Sequence, residues 1–357
     1  MKEKLYVITP IFNPRNFVSR IKLYRQFEKY VESCGAELVT VEVAYRDRPF
    51  EVTVPYHPYH LQLRSPDEMW HKERAINLGI EHLKKLHPEI KKVAWIDADV
   101  QFTNPNWITD TLLALDHYDF IQMFSQATSL GPNHEILWSH DSAFKHWRKQ
   151  KPPVCKGDIP LSDLGGGHPG LAWAARIDAL ENLGGLMDRC VHGSGDSHMA
   201  NALRGDVHTY YLENGNTPSA FTAMLDEWQA KCDQYIKRNV GHIDGVANHF
   251  WHGNYDNRGY NTRWDIICFH EFDPYNDIVL TGNGLYGFAG NKPDFVQDLR
   301  LSMIARNDDE NTIVPNGKDI LKIGDKIGDK VIRRVTEGYL KANPDLTFLK
   351  VGDLYPM

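Results

Sequence analysis

The chain has 357 residues, of which 42% are hydrophobic and 24% charged, the make-up of an ordinary folded protein with room for one large α/β domain and an appendage. Disorder is excluded as the default by this balance. The formal net charge of −7 and a pI near 6.2 argue against a broadly basic, phosphate-binding surface and leave only a local basic groove open.

Residues 5–12, LYVITPIF, are β-branched and bounded by Pro and Asn, so they read as a buried first strand. Residues 15–35 then place apolar side chains at helical spacing and stop on Gly35. A second strand, AELVTVEVAY, follows, and the Pro- and His-rich stretch FEVTVPYHPYHLQLRSPD reads as a loop or an edge hairpin. The helix EMWHKERAINLGIEHLKKL leads into one strand, KKVAWIDADVQF. This alternation predicts right-handed crossovers, a mainly parallel sheet and a ligand at the carboxyl ends of its strands.

Residues 125–170 are rich in Gly, Pro, His and Trp and read as a long excursion over the sheet, of the kind that covers active sites. GLAWAARIDALENLGG and DSHMANALRG read as two short helices, and the polar tail from about Gly290 as a small helical appendage. The expected organisation is a main domain over residues 1–285, divided into 1–105 and 106–285, with the appendage at 286–357. Cys34, Cys155, Cys190, Cys232 and Cys268 form no CxxC pair, so a reducing compartment is expected rather than a disulfide framework. No run of eighteen apolar residues occurs and no cleavage site follows the apolar start; the expectation is a cytoplasmic protein with no membrane partner.

Asp97 and Asp99 follow the apolar run VAWI, so an extended chain would send both carboxylates to one side where the strand leaves the sheet. Two such carboxylates repel unless a cation or protons neutralise them, and Mn2+ or Mg2+ bridging a diphosphate would do so. A solvated strand end is the plain alternative, and a bare Asp-x-Asp is weak by itself. Three other segments add to it. Lys72, Arg74 and Asn77 in KERAINLGI offer cationic and amide groups for a ribose or phosphates, against the alternative of a solvated helix face. His249 and His252 in HFWHG stand one turn apart and are able to share a metal, or to be a paired histidine couple in an aromatic cluster. Asp196 follows Gly193, Ser194 and Gly195 and is either a base beside a closely approaching substrate or a helix cap.

In this order the segments resemble the β-1,4-galactosyltransferases and their GT-A relatives. TPIFNPRN is similar to the turn after that family's first strand, TVEVAY with Glu42 to the end of its second, and KERAINLGI with WIDADV to its basic helix and Asp-x-Asp motif. GGGHPGLAW resembles the acceptor-region glycines, Gly193 to Asp196 with MANAL the Gly–Gly–Glu–Asp stretch, and His249 to His252 with Arg258 and Arg263 the metal-binding Met-x-x-His segment. His192 and Gly195 stand where the family has the Trp and Glu of its sugar-binding loop, and His249 where it has Met, so galactose specificity does not carry over. The chain also resembles glycosyltransferase-like proteins of bacteriophages and bacteria, which makes a phage-infected bacterial cytoplasm an expected setting and a hydroxymethylated DNA base a second possible acceptor besides a glycan.

The resemblance implies a GT-A fold and an inverting transfer from a nucleotide sugar, a UDP-sugar first, to an acceptor hydroxyl. Asp196 is the expected base, Asp99, His249 and His252 the metal ligands, and Asp97 a ribose or metal partner. Thr9, Pro10, Glu42, Lys72, Arg74 and Asn77 would form the nucleotide site. A nucleotidyltransferase would usually carry a glycine-rich phosphate loop after the first strand, which TPIFNPRN does not offer. A non-catalytic module stacking sugars or bases on its many aromatic residues is the rival outside enzymes. For a DNA acceptor, Lys145, Arg148, Lys149 and Lys151 beside Trp147 form the one basic, aromatic patch.

Overall fold

A computed structural model describes residues 3–149, 167–208, 217–259, 263–310, 326–327, 330–334 and 354–356. The first half runs β1 (Tyr6–Phe12), α1 (Val18–Cys34), β2 (Glu37–Tyr45), β3 (His60–Ser65), α2 (Lys72–Leu86), β4 (Lys92–Ile96), β5 (Val100–Phe102), α3 (Trp107–Ala114), β6 (Phe120–Gln122), β7 (Gln126–Leu130), β8 (Ile136–Asp141) and α4 (Ala143–Lys149). It continues with β9 (Ala172–Arg176), α5 (Ile177–Leu183), α6 (Gly195–Arg204), α7 (Ser219–Lys231), β10 (Val240–His242), β11 (Val246–His249), α8 (Arg263–Phe269), β12 (Ile278–Leu280), β13 (Tyr286–Phe288) and α9 (Pro293–Ala305).

The fold is the expected mixed α/β type. Its seven-stranded sheet has the order β10-β6-β9-β4-β1-β2-β3 and is parallel except for β9, which runs antiparallel to both β4 and β6. Val7, Ile8, Val39 and Val41 are fully enclosed because helices cover both faces of the sheet. One core cluster gathers α2, α5, α6 and α7 on one face, and the other gathers α1 and α3 on the opposite face. Among the described residues, no helix is long and apolar enough to cross a membrane.

Three readings of the sequence change. AWAAR, expected in a helix, is β9: its alanines lie between two strands with Trp173 stacked on Trp95, ring centroids 6.1 Å apart, so burial on both faces overrides alanine's helical preference. The stretch before α2 contributes β3, an edge strand parallel to β2, and not a hairpin. KKVAWIDADVQF breaks at Asp97–Asp99 into β4 and β5, and β5 joins a second sheet of order β5-β11-β7-β8. The expected excursion over residues 125–170 supplies β7, β8 and α4, with its residues 150–166 outside the described set. The hairpin β12–β13 straddles residue 285, and Phe295, Leu299 and Met303 of α9 are buried. Residues 286–310 are thus continuous with the main core, and the described pieces beyond them are strands.

α2 lies very close to the sheet, because a Cβ on Gly79 would come within 2.8 Å of Val41 Cγ2 and 2.9 Å of Ile8 Cγ2. Both are stiff branches held against their own backbone. Gly79→Val is expected to destabilise the protein by at least about 2 kcal/mol through overpacking, whereas Gly282→Ala, with nothing within 4 Å, should be neutral. Urea denaturation of both variants checks this; an unchanged midpoint for Gly79→Val would mean that the helix sits further from the sheet than described.

Candidate functional site

The turn between β4 and β5 separates the two carboxylates that an extended chain would have placed side by side. The amide of Asp97 donates to the Leu171 carbonyl at 2.8 Å, and its side chain meets Lys72 Nζ at 2.6 Å, at the first residue of α2. Asp99 turns the other way and is buried. Antiparallel pairing of β11 with β5 sets His249 opposite Val100, and the Phe250 amide donates to the Asp99 carbonyl at 2.8 Å. This pairing closes a gap of about 150 residues in sequence.

His249 Nε2 lies 3.6 Å from Asp99 Oδ1, His252 Nε2 lies 3.3 Å from Asp99 Oδ2, and the two ring nitrogens are 3.2 Å apart. One ligand atom from each of the three residues falls within 4.8 Å of the others. The histidines do not share a helical turn: His249 ends a strand and the chain then bends through Gly253, at φ 88°, against Asn307 and Asp308. Asp99 Oδ1 is buried without a hydrogen-bond partner, an arrangement that is costly unless something else satisfies it. One carboxylate and two imidazoles converging on such an atom suit a divalent cation of the Mn2+ type.

The electrostatics agree with that donor set. Burial opposes the charge on Asp99, but His249 and Arg20, with His252 when it is protonated, outweigh it and hold the carboxyl well below its usual range. Burial, with Arg20 and Arg258, keeps His252 neutral, as a ligand must be. Arg20 spans Asp99 (Nη1, 3.1 Å) and Asp308 (Nε, 2.8 Å), and Asp308 Oδ1 stands 3.5 Å from His252 Nδ1. Neither of these two atoms has a hydrogen-bond partner, so Asp308 stands beside the histidine as a neighbouring charge.

These residues form one wall of a cavity of about 400 Å³, and Asp196 lies on another. Asp196 sits in the first turn of α6, where its Oδ1 accepts the Ser197 amide at 2.8 Å, and its Oδ2 lies over Gly170, whose Cβ would come within 2.5 Å. Gly170, in the GGGHPGLAW segment, is thus the space the carboxylate uses. Glu73 is buried against Gly195, where a Cβ would meet its carboxyl carbon at 2.7 Å. Burial first, and then Asp196, push Glu73 up to about 8 against the pull of Lys72. Burial also works against the Lys72 ammonium, but Asp97, Asp196 and Glu73 outweigh it and keep it charged. Asp97 is pushed up by burial and by Asp99, with Lys72 opposing.

Of the residues expected at a nucleotide, Pro10, Lys72 and Asp97 line the cavity. Four do not. Thr9 Oγ1 donates to the Ile96 carbonyl at 2.8 Å inside the sheet. Glu42 accepts the amides of Glu51, Val52 and Thr53 and the Thr53 hydroxyl, so it shapes a loop. Arg74 donates to the Gly284 carbonyl at 2.6 Å and to Asp188 at 3.1 Å, and Asn77 bridges the amide and carbonyl of Leu186. Positions 74 and 77 lie more than a quarter-turn round the helix from Lys72, so the face that carries Lys72 cannot carry them too. Asp188 is held by these same two residues. The sequence reading missed Arg20, Glu73 and Asp308, whose only signals were a cation among several on α1, an acid beside Lys72 and an acidic run in the tail.

Between pH 4.5 and about 8 the folded chain holds a proton on Glu73 that the unfolded chain has released, so this group's contribution to stability falls as pH rises through that window. Below it both states are protonated and the penalty vanishes. Glu73→Gln removes the titration, and its stability relative to wild type should therefore rise by a few kcal/mol between about pH 5 and pH 9. Urea denaturation at the two pH values measures this, and parallel profiles for the two proteins would show that Glu73 ionises normally.

No family model matches the sequence, and no curated protein is detectably similar to it. Among solved structures, the chain is similar to the catalytic domain of Drosophila β1,4-galactosyltransferase 7 in complex with xylobiose (13% identity, TM-score 0.30, 57% of this chain and 61% of that one). It is similar to a mutant of that enzyme in complex with manganese, UDP-Gal and xylobiose (12% identity, TM-score 0.31, 57% and 62%). A third is a glycosyltransferase involved in the glycosylation of the major capsid of PBCV-1 (15% identity, TM-score 0.24, 50% and 62%). The chain matches only about three fifths of the length of these structures, and the reading of the site rests on the site's own geometry.

Proposed function

We propose that the protein is a metal-dependent glycosyltransferase of the GT-A type that moves a sugar from a nucleotide sugar, a UDP-sugar first, to an acceptor hydroxyl with inversion. The observation that supports this best is the convergence of Asp99, His249 and His252 on one wall of a cavity whose other wall presents Asp196. A divalent cation held by those three residues would neutralise the diphosphate as it departs. Lys72 meets both oxygens of Asp97 at 2.6 and 2.8 Å, and Asp97 would offer its remaining lone pairs to the ribose or the cation.

Asp196 accepts the proton of the acceptor hydroxyl as that oxygen bonds to the anomeric carbon. The bond from this carbon to the diphosphate breaks, and its electron pair leaves with the nucleotide. Glu73, protonated and packed on Gly195, leaves the negative charge of this wall on Asp196. In this reading residues 1–105 hold most of the donor and residues 106–285 the acceptor, except that His249 and His252 cross over to the donor's diphosphate with Asp308 standing beside His252, and the reaction belongs to a cytoplasm. DNA is the weaker acceptor, because Lys145 and Lys149 both pair with Asp141 at 2.8 and 2.6 Å and Arg148 is spent on Tyr118 and the Val240 carbonyl.

Slow hydrolysis of a panel of nucleotide sugars with and without Mn2+ tests the donor half without any acceptor. Asp99→Ala should lower this turnover by several orders of magnitude while far-UV circular dichroism stays native. Wild-type turnover in that variant would remove the metal assignment. Asp196→Asn should bind UDP normally and lose roughly a hundredfold or more in transfer; full transfer with a small change in melting temperature would make Asp196 a helix cap only.

A further inference from the structure

One cation in the cavity has no part in the chemistry so far. α6 turns Ser197, Ala200, Asn201 and Arg204 to the cavity, the i, i+3, i+4, i+7 stripe of a single helix face that begins beside Asp196. Lys72, Arg20, Arg15 and Arg306 are each set against a carboxylate. Arg258 likewise has no ion pair among the described residues and a buried, unpartnered Nε, but it stands near enough to His252 to act on it and so lies on the donor side of the cavity. Arg204 has no ion pair among the described residues: its guanidinium reaches Asn201 Oδ1, and its Nε is buried without a hydrogen-bond partner. Asp206, which acts on it through space, is exposed. A cation in a last helical turn is favoured by the helix dipole, but that accounts for the sign of the charge and not for a side chain turned into a cavity.

We infer that the acceptor is an acidic saccharide lying along α6, with its reacting hydroxyl at Asp196 and a phosphate or carboxylate group on Arg204. This rests on the glycosyl-transfer reading of the cavity. Eight residues of helix rise about 12 Å, and the Arg204 side chain leans back toward the helix N-terminus, so hydroxyl and acid stand on the order of 10 Å apart, the span of a disaccharide. Ala200 keeps the groove between them shallow, Asn201 offers an amide beside the guanidinium, and Trp264 of α8 lines the same cavity as an apolar wall. The guanidinium fork suits a bidentate oxyanion. One arginine at the end of this helix face reads one anion, whereas a nucleic acid would need several cations tracking its backbone.

The test uses the full chain saturated with UDP and Mg2+, so that the donor side is filled, and calorimetric titration with sulfate, standing for a phosphate ester, and separately with acetate, standing for a carboxylate. Wild type should bind one of the two anions, and which one names the acid. Arg204→Gln should weaken that binding at least about tenfold and Arg204→Lys should recover part of it, with melting temperatures close to wild type. Equal binding by wild type and Arg204→Gln, or no binding of either anion by wild type, overturns the inference. So would tight binding of a hydroxymethylated oligonucleotide whose salt dependence reports several phosphates. If UDP and Mg2+ fail to bind at the outset, the glycosyl-transfer reading falls at that step, while the anion titration still reports on Arg204.

Discussion

Two carboxylates, half-buried Asp97 and buried Asp99, stand two residues apart at the end of a central strand. Leaving either one uncompensated would cost several kcal/mol, and much of the local architecture answers that constraint. The break between β4 and β5 points them in different directions. Lys72, the first residue of α2, meets Asp97. Arg20 and two histidines gather on Asp99, and still one of its oxygens has no hydrogen-bond donor. That residual demand is what a bound cation would meet.

The compensation is delivered from parts of the chain far apart in sequence. β11 pairs with β5 and so carries His249 to Asp99. The segment after α9 does two things at once. Asp309 accepts the amides of Val18 and Ser19 at 3.0 and 2.7 Å, capping α1, whose own N-cap Phe17 offers no side chain for the purpose. Its neighbour Asp308 holds Arg20, two residues further along that helix, and stands 3.5 Å from His252 Nδ1. Position and charge at the site are thus set by the same short stretch, and loosening it would disturb the helix and the histidine together.

How much of this could be read beforehand depended on the range of the interaction. β1, α1, β2 and α2 were legible because β-branched runs and 3.6-residue periodicity are local. Asp99, His249, His252 and Asp196 stood out because their residue types and order carry chemistry, and the structure brings them around one cavity. β9 was not legible, because AWAAR favours a helix until two flanking strands are known. Arg74 and Asn77 were misplaced because a sequence gives the residues on a helix and not the rotation of that helix over the sheet. Arg20 and Asp308 lie 288 residues apart, and nothing local in either segment marks the partner.

The central claim is that Asp99, His249 and His252 hold a divalent cation that in turn holds a nucleotide diphosphate. Calorimetric titration of UDP into the protein, with Mn2+ and with a chelator, addresses it most directly. The account predicts that Mn2+ tightens UDP binding by about a hundredfold or more, as expected when a cation bridges a carboxylate site to a diphosphate. UDP affinity that is the same with Mn2+ and with the chelator would contradict it.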